Sequence, residues 1–332
     1  MILKNKSIII WLITCILLVY AMIILGGYTR LSHSGLSIVE WKPISGIIPP
    51  LNLADWQAEF SLYKQSPEYI KINHHISLCE FKQIFLVEYL HRVLGRIIGL
   101  MFFLPFLYFF LSKQIDKKET QYFSWIAILI ALQGLIGWLM VKSGLIDQPN
   151  VSQYRLALHL VMACIILILL VWKIIPGKPS SSKYAYFSLF LLMLQIISGA
   201  FVAGLKAGMV YNSFPLMNGK FIPDGLLLMN PWYLNIFENI EMVQFIHRYL
   251  AMINLINLLA YCYKIFNLNY NKKIAILLAT ILSLQFALGI LTLCLQAPLI
   301  LALLHQALAI ILMITMVASL KQPDNWKVDV KN

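Results

Sequence analysis

Long apolar stretches separated by polar connections account for most of the chain. A helix that crosses the hydrocarbon core of a bilayer needs about 20 consecutive apolar residues, and eight stretches approach or exceed that length. They predict transmembrane helices at about residues 8–28, 87–111, 122–142, 156–175, 184–206, 243–265, 273–294 and 299–320. The pattern therefore predicts an all-α polytopic membrane protein, with a long outer loop at about residues 29–86.

The composition agrees with a lipid environment. The chain has 332 residues, of which 60% are hydrophobic and 12% are charged, whereas soluble domains carry about 25% charged residues. Its formal net charge is +12, which in a soluble protein would suggest nucleic-acid binding. Here the lysines lie mainly in connections between apolar stretches, so we expect contact with membrane lipid and no nucleic-acid partner.

The charges in the short loops predict the orientation of the chain. An even number of spans places both termini on one side, together with the loops at 112–121, 176–183 and 266–272, which contain lysine. The positive-inside rule then makes both termini cytoplasmic in a multi-pass protein of the cell inner membrane. The first apolar stretch follows Lys4 and Lys6 but is long for a signal peptide and has no small-residue cleavage site after it, so we expect an uncleaved helix.

The second half of the chain repeats the motifs of the first half. His91-Arg92 recurs as His247-Arg248, His159 as His305, Leu132-Gln133-x-x-x-Gly137 as Leu284-Gln285-x-x-x-Gly289, and Gly26-Gly27 as Gly199-Ala200. Because each unit holds four helices, both units begin on the same side of the membrane, which makes the repeat parallel. We therefore predict two pseudo-symmetric four-helix bundles, residues 1–180 and 181–332.

Paired histidines are the strongest chemical signal in the predicted helices. They are His91, His159, His247 and His305, and the residues four positions later are Gly95, Ala163, Ala251 and Ala309. Positions i and i+4 share one helix face, so a small residue there leaves room for a flat macrocycle beside the imidazole. A single membrane histidine is commonly a hydrogen-bonded packing residue. Two repeat-related pairs favour axial ligation of haem iron instead.

The five arginines are all predicted on the outer side of the membrane. They are Arg30, Arg92, Arg96, Arg155 and Arg248. Each one taken alone can be a helix-end side chain whose charged head reaches towards water. The guanidinium group also suits carboxylates, and all five on one side indicate a ligand that carries carboxylates. Beside a haem, these arginines would contact the propionates.

One position breaks the symmetry between the two halves. Glu88 lies three residues before His91, whereas Gln244 lies three residues before His247. A carboxylate can take up a proton and an amide cannot, so Glu88 is a candidate catalytic residue. The half that contains Gln244 would then hold a fixed cofactor. A glutamate near a helix N-terminus is also favoured by the helix dipole, by about 0.3–1 kcal/mol, and the residues alone leave both interpretations open.

Five segments of the chain carry a distinctive combination of motifs. They are residues 26–37 (GGYTRLSHSGLS), 41–50 (WKPISGIIPP), 80–92 (EFKQIFLVEYLHR), 211–219 (YNSFPLMNG) and 243–248 (VQFIHR). Together these segments resemble the haem A synthase family, in the branch found in proteobacteria and mitochondria. The resemblance extends over nearly the whole chain.

The resemblance implies an oxidoreductase that converts the C8 methyl of haem O to a formyl group by two successive hydroxylations. The product, haem A, would serve terminal oxidase assembly. Haem O would bind between His91 and His159, a haem b cofactor would bind between His247 and His305, and Glu88 would be catalytic. The resemblance also implies haem O synthase (protohaem farnesyltransferase) as a candidate partner.

Cysteine usage separates the chain from another branch of the same family. That branch has a cysteine pair in its outer loops, whereas here Cys79 is the only cysteine predicted in a loop. We therefore predict no disulfide and no zinc site, and the thiol step proposed for that branch is in doubt for this chain.

Two other functions use some of the same features. A di-haem b-type membrane electron carrier would have the same histidine pairs, with a structural role for Glu88. A transporter with parallel repeats would need broken helices or a charged pathway at the midplane, which the sequence does not show. The haems extracted from the protein distinguish these functions from haem A synthesis.

Overall fold

The computed structural model describes residues 5–42, 45–146, 149–268 and 271–322 of the chain. The helices are α1 (Lys6–Leu31), α2 (Leu53–Tyr63), α3 (Leu78–Leu111), α4 (Lys117–Gly144), α5 (Gln153–Ile174), α6 (Lys183–Gly204), α7 (Asn235–Glu238), α8 (Ile240–Asn267), α9 (Lys272–Cys294) and α10 (Leu299–Ser319). Short 3-10 turns lie at Ser45–Ile47, Ala207–Met209, Asp224–Leu227 and Trp232–Leu234, and one π-helical turn lies at Tyr69–Asn73.

Eight helices within the described ranges are long and apolar enough to cross a membrane. They are α1, α3, α4, α5, α6, α8, α9 and α10, and they correspond to the eight predicted spans. The predicted all-α polytopic fold is confirmed. The strands in the described residues are β1 (Lys178–Pro179) and β2 (Lys321–Gln322), which form one antiparallel pair with Lys178 opposite Gln322.

Helix α3 begins nine residues before the predicted span. Its N-cap is Ser77, whose hydroxyl accepts a hydrogen bond from the Glu80 amide while the Glu80 carboxylate binds the Ser77 amide. This capping box satisfies backbone donors that the first turn leaves unpaired. Hydropathy detects only the part of a helix that is apolar enough for lipid, so it missed this polar extension.

The described chain separates into two compact units. One unit is Thr14–Ile166, and the other combines the described residues of Met1–Ile13 and Leu167–Asn332. We call them the N-terminal unit and the C-terminal unit. In the C-terminal unit, α6 packs against α8, and α9 packs against both α8 and α10. The predicted pseudo-symmetry remains a prediction.

An aromatic cluster fixes α2 against the N-terminal extension of α3 in the N-terminal unit. The Phe81 ring stacks on Phe60 at 4.9 Å and on Tyr63 at 5.1 Å between ring centroids. Trp56 meets Phe85 edge-on at 5.1 Å. Such pairs contribute about 0.5–1.5 kcal/mol each beyond the apolar area that they bury. The cluster therefore holds α2, in the segment between α1 and α3, against the N-terminal end of α3.

Two buried asparagines organise the corresponding segment of the C-terminal unit. The Asn235 side chain binds the backbone of Met229 in both directions, donating at 2.9 Å and accepting at 3.0 Å. Asn239 caps α8 by accepting from the amides of Glu241 and Met242. Its amide nitrogen also donates to the Gly225 carbonyl at 2.7 Å. These bonds join the loop to the first turn of α8, which carries His247 two turns further along.

Candidate functional site

Each of the four predicted ligand histidines packs against a glycine of a neighbouring transmembrane helix. A Cβ atom added to the glycine would meet the imidazole Cε1 at 3.1 Å for Gly26 and His91, 3.0 Å for Gly137 and His159, 3.2 Å for Gly199 and His247, and 2.8 Å for Gly289 and His305. Carbon atoms in contact normally lie about 3.5–4.0 Å apart. A larger residue at any of these glycines would therefore push the imidazole out of its position.

The histidines of each predicted pair lie in the same unit. His91 and His159 interact electrostatically in the N-terminal unit, and His247 and His305 interact in the C-terminal unit. All four imidazoles are half-buried. The structure thus places one predicted pair of histidines in each unit, with a glycine beside each ring.

The donor set fits two haem groups with two axial imidazoles each. In the described residues, Nδ1 of His91 and Nδ1 of His159 are buried without a hydrogen-bond partner. A polar ring inside a membrane is costly unless it gains a partner, and iron bound at Nε2 would give each of these two rings a partner. Because helices carry all four rings, the backbone positions of the ligands are set by the packing of the bundle.

Three glutamines and one serine lie beside the imidazoles. Gln133 Nε2 donates to the His159 carbonyl at 3.0 Å, and Gln195 Nε2 donates to the His247 carbonyl at 3.1 Å. Gln285 Nε2 lies 3.1 Å from His305 Nδ1, and Ser198 Oγ lies 2.8 Å from His247 Nδ1. The sequence analysis identified Gln133 and Gln285 only as members of the repeated Leu-Gln-x-x-x-Gly motif. It did not identify Gln195 and Ser198, although both lie within one turn of Gly199.

Glu88 is 3% exposed and accepts hydrogen bonds at both carboxylate oxygens. Oε2 accepts from the Ser37 amide at 2.7 Å, the Ser37 hydroxyl at 2.7 Å and the Ile38 amide at 2.9 Å. Oε1 accepts from Arg92 Nε at 3.1 Å and Nη2 at 2.7 Å. Every one of these donors suits the ionised carboxylate. Since α3 begins at Leu78, Glu88 lies beyond the first turn, where the helix dipole has little effect.

Gln244 occupies the corresponding position of the C-terminal unit. It is 1% exposed, and its Nε2 donates to the Tyr211 carbonyl at 3.0 Å. Its Oε1 is buried with no hydrogen-bond partner in the part of the chain that the structure describes. Both residues therefore bind the loop that precedes their own helix, but only Glu88 brings a negative charge to that position.

Four of the arginines predicted to contact propionates donate to backbone carbonyls, which belong to loop residues for Arg92, Arg96 and Arg248 and to a residue of α4 for Arg155. Arg92 donates to Ile38 at 2.9 Å and Glu40 at 3.1 Å, Arg96 to Lys42 at 2.9 Å, Arg155 to Leu139 at 3.2 Å, and Arg248 to Ser213 at 2.6 Å and Tyr211 at 2.5 Å. Arg30 lies in the last turn of α1 and interacts electrostatically with Glu68. Contact with propionates stays a prediction for all five.

A second buried carboxylate lies between α2 and α3 of the N-terminal unit. Glu68 is 5% exposed and accepts a hydrogen bond from the Tyr63 hydroxyl at 3.2 Å, and that hydroxyl accepts from Asn73 Nδ2 at 2.8 Å. Burial raises the pKa of Glu68 to about 7, and the charge of Glu88 raises this pKa as well, while the Tyr63 bond and the Arg30 charge lower it. Sequence reasoning missed Glu68, because a loop glutamate normally faces water.

The five cysteines are free thiols in the structure. Cys15, Cys164 and Cys262 are buried, whereas Cys79 and Cys294 are exposed. Cys79 lies in the first turn of α3, next to Glu80 of the capping box.

Comparisons with known proteins agree over almost the full length. Residues 9–317 match the model of the COX15-CtaA family, described as cytochrome oxidase assembly protein. The chain is 46% identical over 323 residues to a protein named heme A synthase from Nitrosospira multiformis, covering 93% of this chain and 91% of the relative. It is 44% identical over 319 residues to a heme A synthase from Wolbachia pipientis of Culex pipiens, covering 93% and 95%. A heme A synthase from Rickettsia bellii is 43% identical over 328 residues, covering 93% and 96%.

Proposed function

The chain belongs to the COX15-CtaA family of cytochrome oxidase assembly proteins, and from this membership we propose that it is an enzyme of haem A biosynthesis, a haem A synthase. The observation that carries the proposal is the pair of histidines in each unit, each of which packs against a glycine of a neighbouring helix. These histidines lie in a chain that is 46% identical to a protein named heme A synthase. The four imidazoles would hold two haems, one in each unit.

The two units have different parts in the reaction. His91 and His159 hold the substrate haem O in the N-terminal unit, and His247 and His305 hold haem b in the C-terminal unit. The bound haem b supplies one-electron transfer. Two hydroxylations remove four electrons from the C8 methyl carbon, which an external oxidant must take up, and the resulting geminal diol loses water to give the formyl group. Because two imidazoles fill the axial positions of the substrate iron, the reaction takes place at the edge of the ring.

Glu88 is the residue that handles protons at this edge. Its carboxylate lies one helical turn from His91, and five hydrogen bonds orient it. To accept a proton, Oε2 must first release a donor, and the Ser37 hydroxyl can be that donor. Ser37 Oγ also lies 3.2 Å from the Ser34 carbonyl and 3.3 Å from the Ile84 carbonyl. The hydroxyl can turn towards either carbonyl and leave a lone pair of Oε2 for the proton.

The proposal includes the cellular setting of the reaction. Eight apolar helices make the chain a multi-pass membrane protein. We assign it to the cell inner membrane with both termini in the cytoplasm, on the basis of the lysines in its short loops. The farnesyl tail of haem O suits entry from lipid, and haem O synthase is the proposed partner that supplies the substrate.

Reversed-phase analysis of haems extracted from the purified protein tests the function. Wild-type protein should yield haem b together with haem O or haem A. Glu88→Gln should yield haem b and haem O but no haem A. Glu80→Gln is the matched control on the same helix, because glutamine also completes a capping box, and it should form haem A normally. Haem A formation by Glu88→Gln at the wild-type rate would refute the catalytic role.

The five hydrogen bonds of Glu88 also support a second function, a di-haem b-type electron carrier. In that case Glu88 would serve only to fix the outer segment to α3. Such a protein would yield haem b alone, in about twice the molar amount of the polypeptide. Detection of haem O or haem A in the extract would exclude it.

A further inference from the structure

The two histidine pairs differ in what lies beside the Nδ1 atom of each ring. In the C-terminal unit, Ser198 Oγ lies 2.8 Å from His247 Nδ1 and Gln285 Nε2 lies 3.1 Å from His305 Nδ1. In the N-terminal unit, Nδ1 of His91 and of His159 have no hydrogen-bond partner within the described ranges. The proposed function gives no reason for this difference.

The difference at the first ligand follows from one substitution between the repeats. Ser198 directly precedes Gly199, the glycine beside His247, whereas Leu25 directly precedes Gly26, the glycine beside His91. Leucine offers no hydrogen-bonding side-chain atom. The residue before the glycine thus carries a hydroxyl in one repeat, where it lies beside the imidazole, and an alkyl group in the other.

Iron ligation determines how Ser198 is used. When iron takes the lone pair of His247 Nε2, the imidazole proton lies on Nδ1 and needs an acceptor. Ser198 Oγ donates its own hydrogen to the Gln195 carbonyl at 2.8 Å, so its oxygen lone pairs are available for Nδ1–H. Gln195 Nε2 lies 3.1 Å from the same Nδ1 atom, but an amide nitrogen cannot accept a hydrogen bond, and its bond to the His247 carbonyl fixes the amide in this orientation. Ser198 is thus the acceptor.

Gln285 provides the corresponding bond for His305 after a flip of its amide. Its Oε1 is buried and has no partner among the described residues. Amide nitrogen and oxygen are assigned from hydrogen bonding, and a half-turn of the amide places Oε1 against Nδ1–H. Gln133 does not do the same for His159, because its Nε2 lies 3.4 Å from Nε2 of that ring and binds the His159 carbonyl.

We propose that Ser198 is a positioning residue that holds His247 as a permanent haem ligand, and that Leu25 leaves His91 as a ligand from which haem can leave. A hydrogen bond from Nδ1–H fixes the orientation of a ligating imidazole and raises its basicity. The C-terminal unit would then retain its haem through many reaction cycles, while the N-terminal unit binds substrate and releases product. The inference rests on the proposed haem ligation.

Haem loss from the full-length purified protein tests the inference. Apomyoglobin is added in excess as the haem acceptor, and the transfer rate of haem b is followed by absorbance. Ser198→Ala should release haem b about 10–100 times faster than wild type, the range typical for loss of such a bond. Its haem b reduction potential should also be more positive, because a less basic ligand stabilises ferric iron less.

Three further variants separate positioning from a general effect on folding. Ser198→Thr keeps a hydroxyl and should restore slow release. Ser283→Ala, on α9, removes an exposed hydroxyl that bonds only to the Ala279 carbonyl among the contacts described, and it should behave as wild type. Leu25→Ser should slow the release of haem from the N-terminal unit.

Two outcomes distinguish this inference from the proposed function. If wild-type protein binds haem and Ser198→Ala matches it in release rate and reduction potential, the role of Ser198 is refuted and the proposed function stands. If wild-type protein shows no low-spin haem spectrum, the proposed function itself fails, and the inference fails with it.

Discussion

Gly289→Ala is the most informative small change to this protein. A Cβ at residue 289 would lie 2.8 Å from Cε1 of His305, and ordinary carbon contacts need about 3.5–4.0 Å. The imidazole would therefore have to move by about 0.7–1.2 Å away from α9. Displacements of this size from a required geometry reduce function by about a hundredfold in enzymes. We expect the haem b content of the protein to fall by about tenfold or more as a result of this displacement.

The assay is the ratio of haem b to polypeptide in purified protein, measured as the pyridine haemochrome. Gly134→Ala on α4 and Gly99→Ala on α3 are matched controls, because a Cβ at either position meets no atom within 4 Å among the described residues. Both controls, like Gly289→Ala, replace a helical glycine by alanine, whose helix propensity is about 1 kcal/mol better. A difference in haem content between Gly289→Ala and the controls therefore does not come from helix propensity. If Gly289→Ala keeps the haem content of these controls, His305 is not held at a fixed position by the glycine.

Two further predictions concern the outer segment of the N-terminal unit. Ser37→Ala removes the hydroxyl that orients the Glu88 carboxylate before Oε2 accepts a proton. It should slow haem A formation by about tenfold, since hydrogen bonds to charged groups contribute about 1.5–3 kcal/mol. The measurement is the ratio of haem A to haem O, and an unchanged ratio would contradict this orienting role of Ser37. The raised pKa of Glu68, about 7, means that ionisation costs more in the folded than in the unfolded state. The free energy of unfolding should therefore fall as the pH rises from about 4.5 to about 7. Amide exchange of α2, which reports its opening free energy, tests this. A fall of the same size in the Glu68→Gln variant would refute it.

The membrane spans were predictable because lipid imposes a strong constraint on composition. The first residues of the helices were less predictable, since hydropathy does not detect a polar first turn. The start of α3 could have been read from Ser77 and Glu80, which form a capping box in the pattern S-x-x-E. The segment between α1 and α3 could not be placed, because its aromatic cluster joins residues that are separated in sequence.

The candidate site was predictable where the repeat doubled the signal. His91 and His247 stood out because each has a counterpart in the other half of the chain. The role of Gly289 beside His305 needed the structure, because a glycine in a membrane helix is normally explained by helix packing alone. Glu68 gave no signal at all, since only the fold shows that its carboxylate is buried.

Replacement of the histidine pairs tests the central claim most directly. The optical spectrum of the purified protein should show a Soret band typical of low-spin haem. The double variant His247→Ala with His305→Ala should lose haem b and keep haem O, while His91→Ala with His159→Ala should lose haem O and keep haem b. A Soret band that stays unchanged after all four replacements would contradict the account.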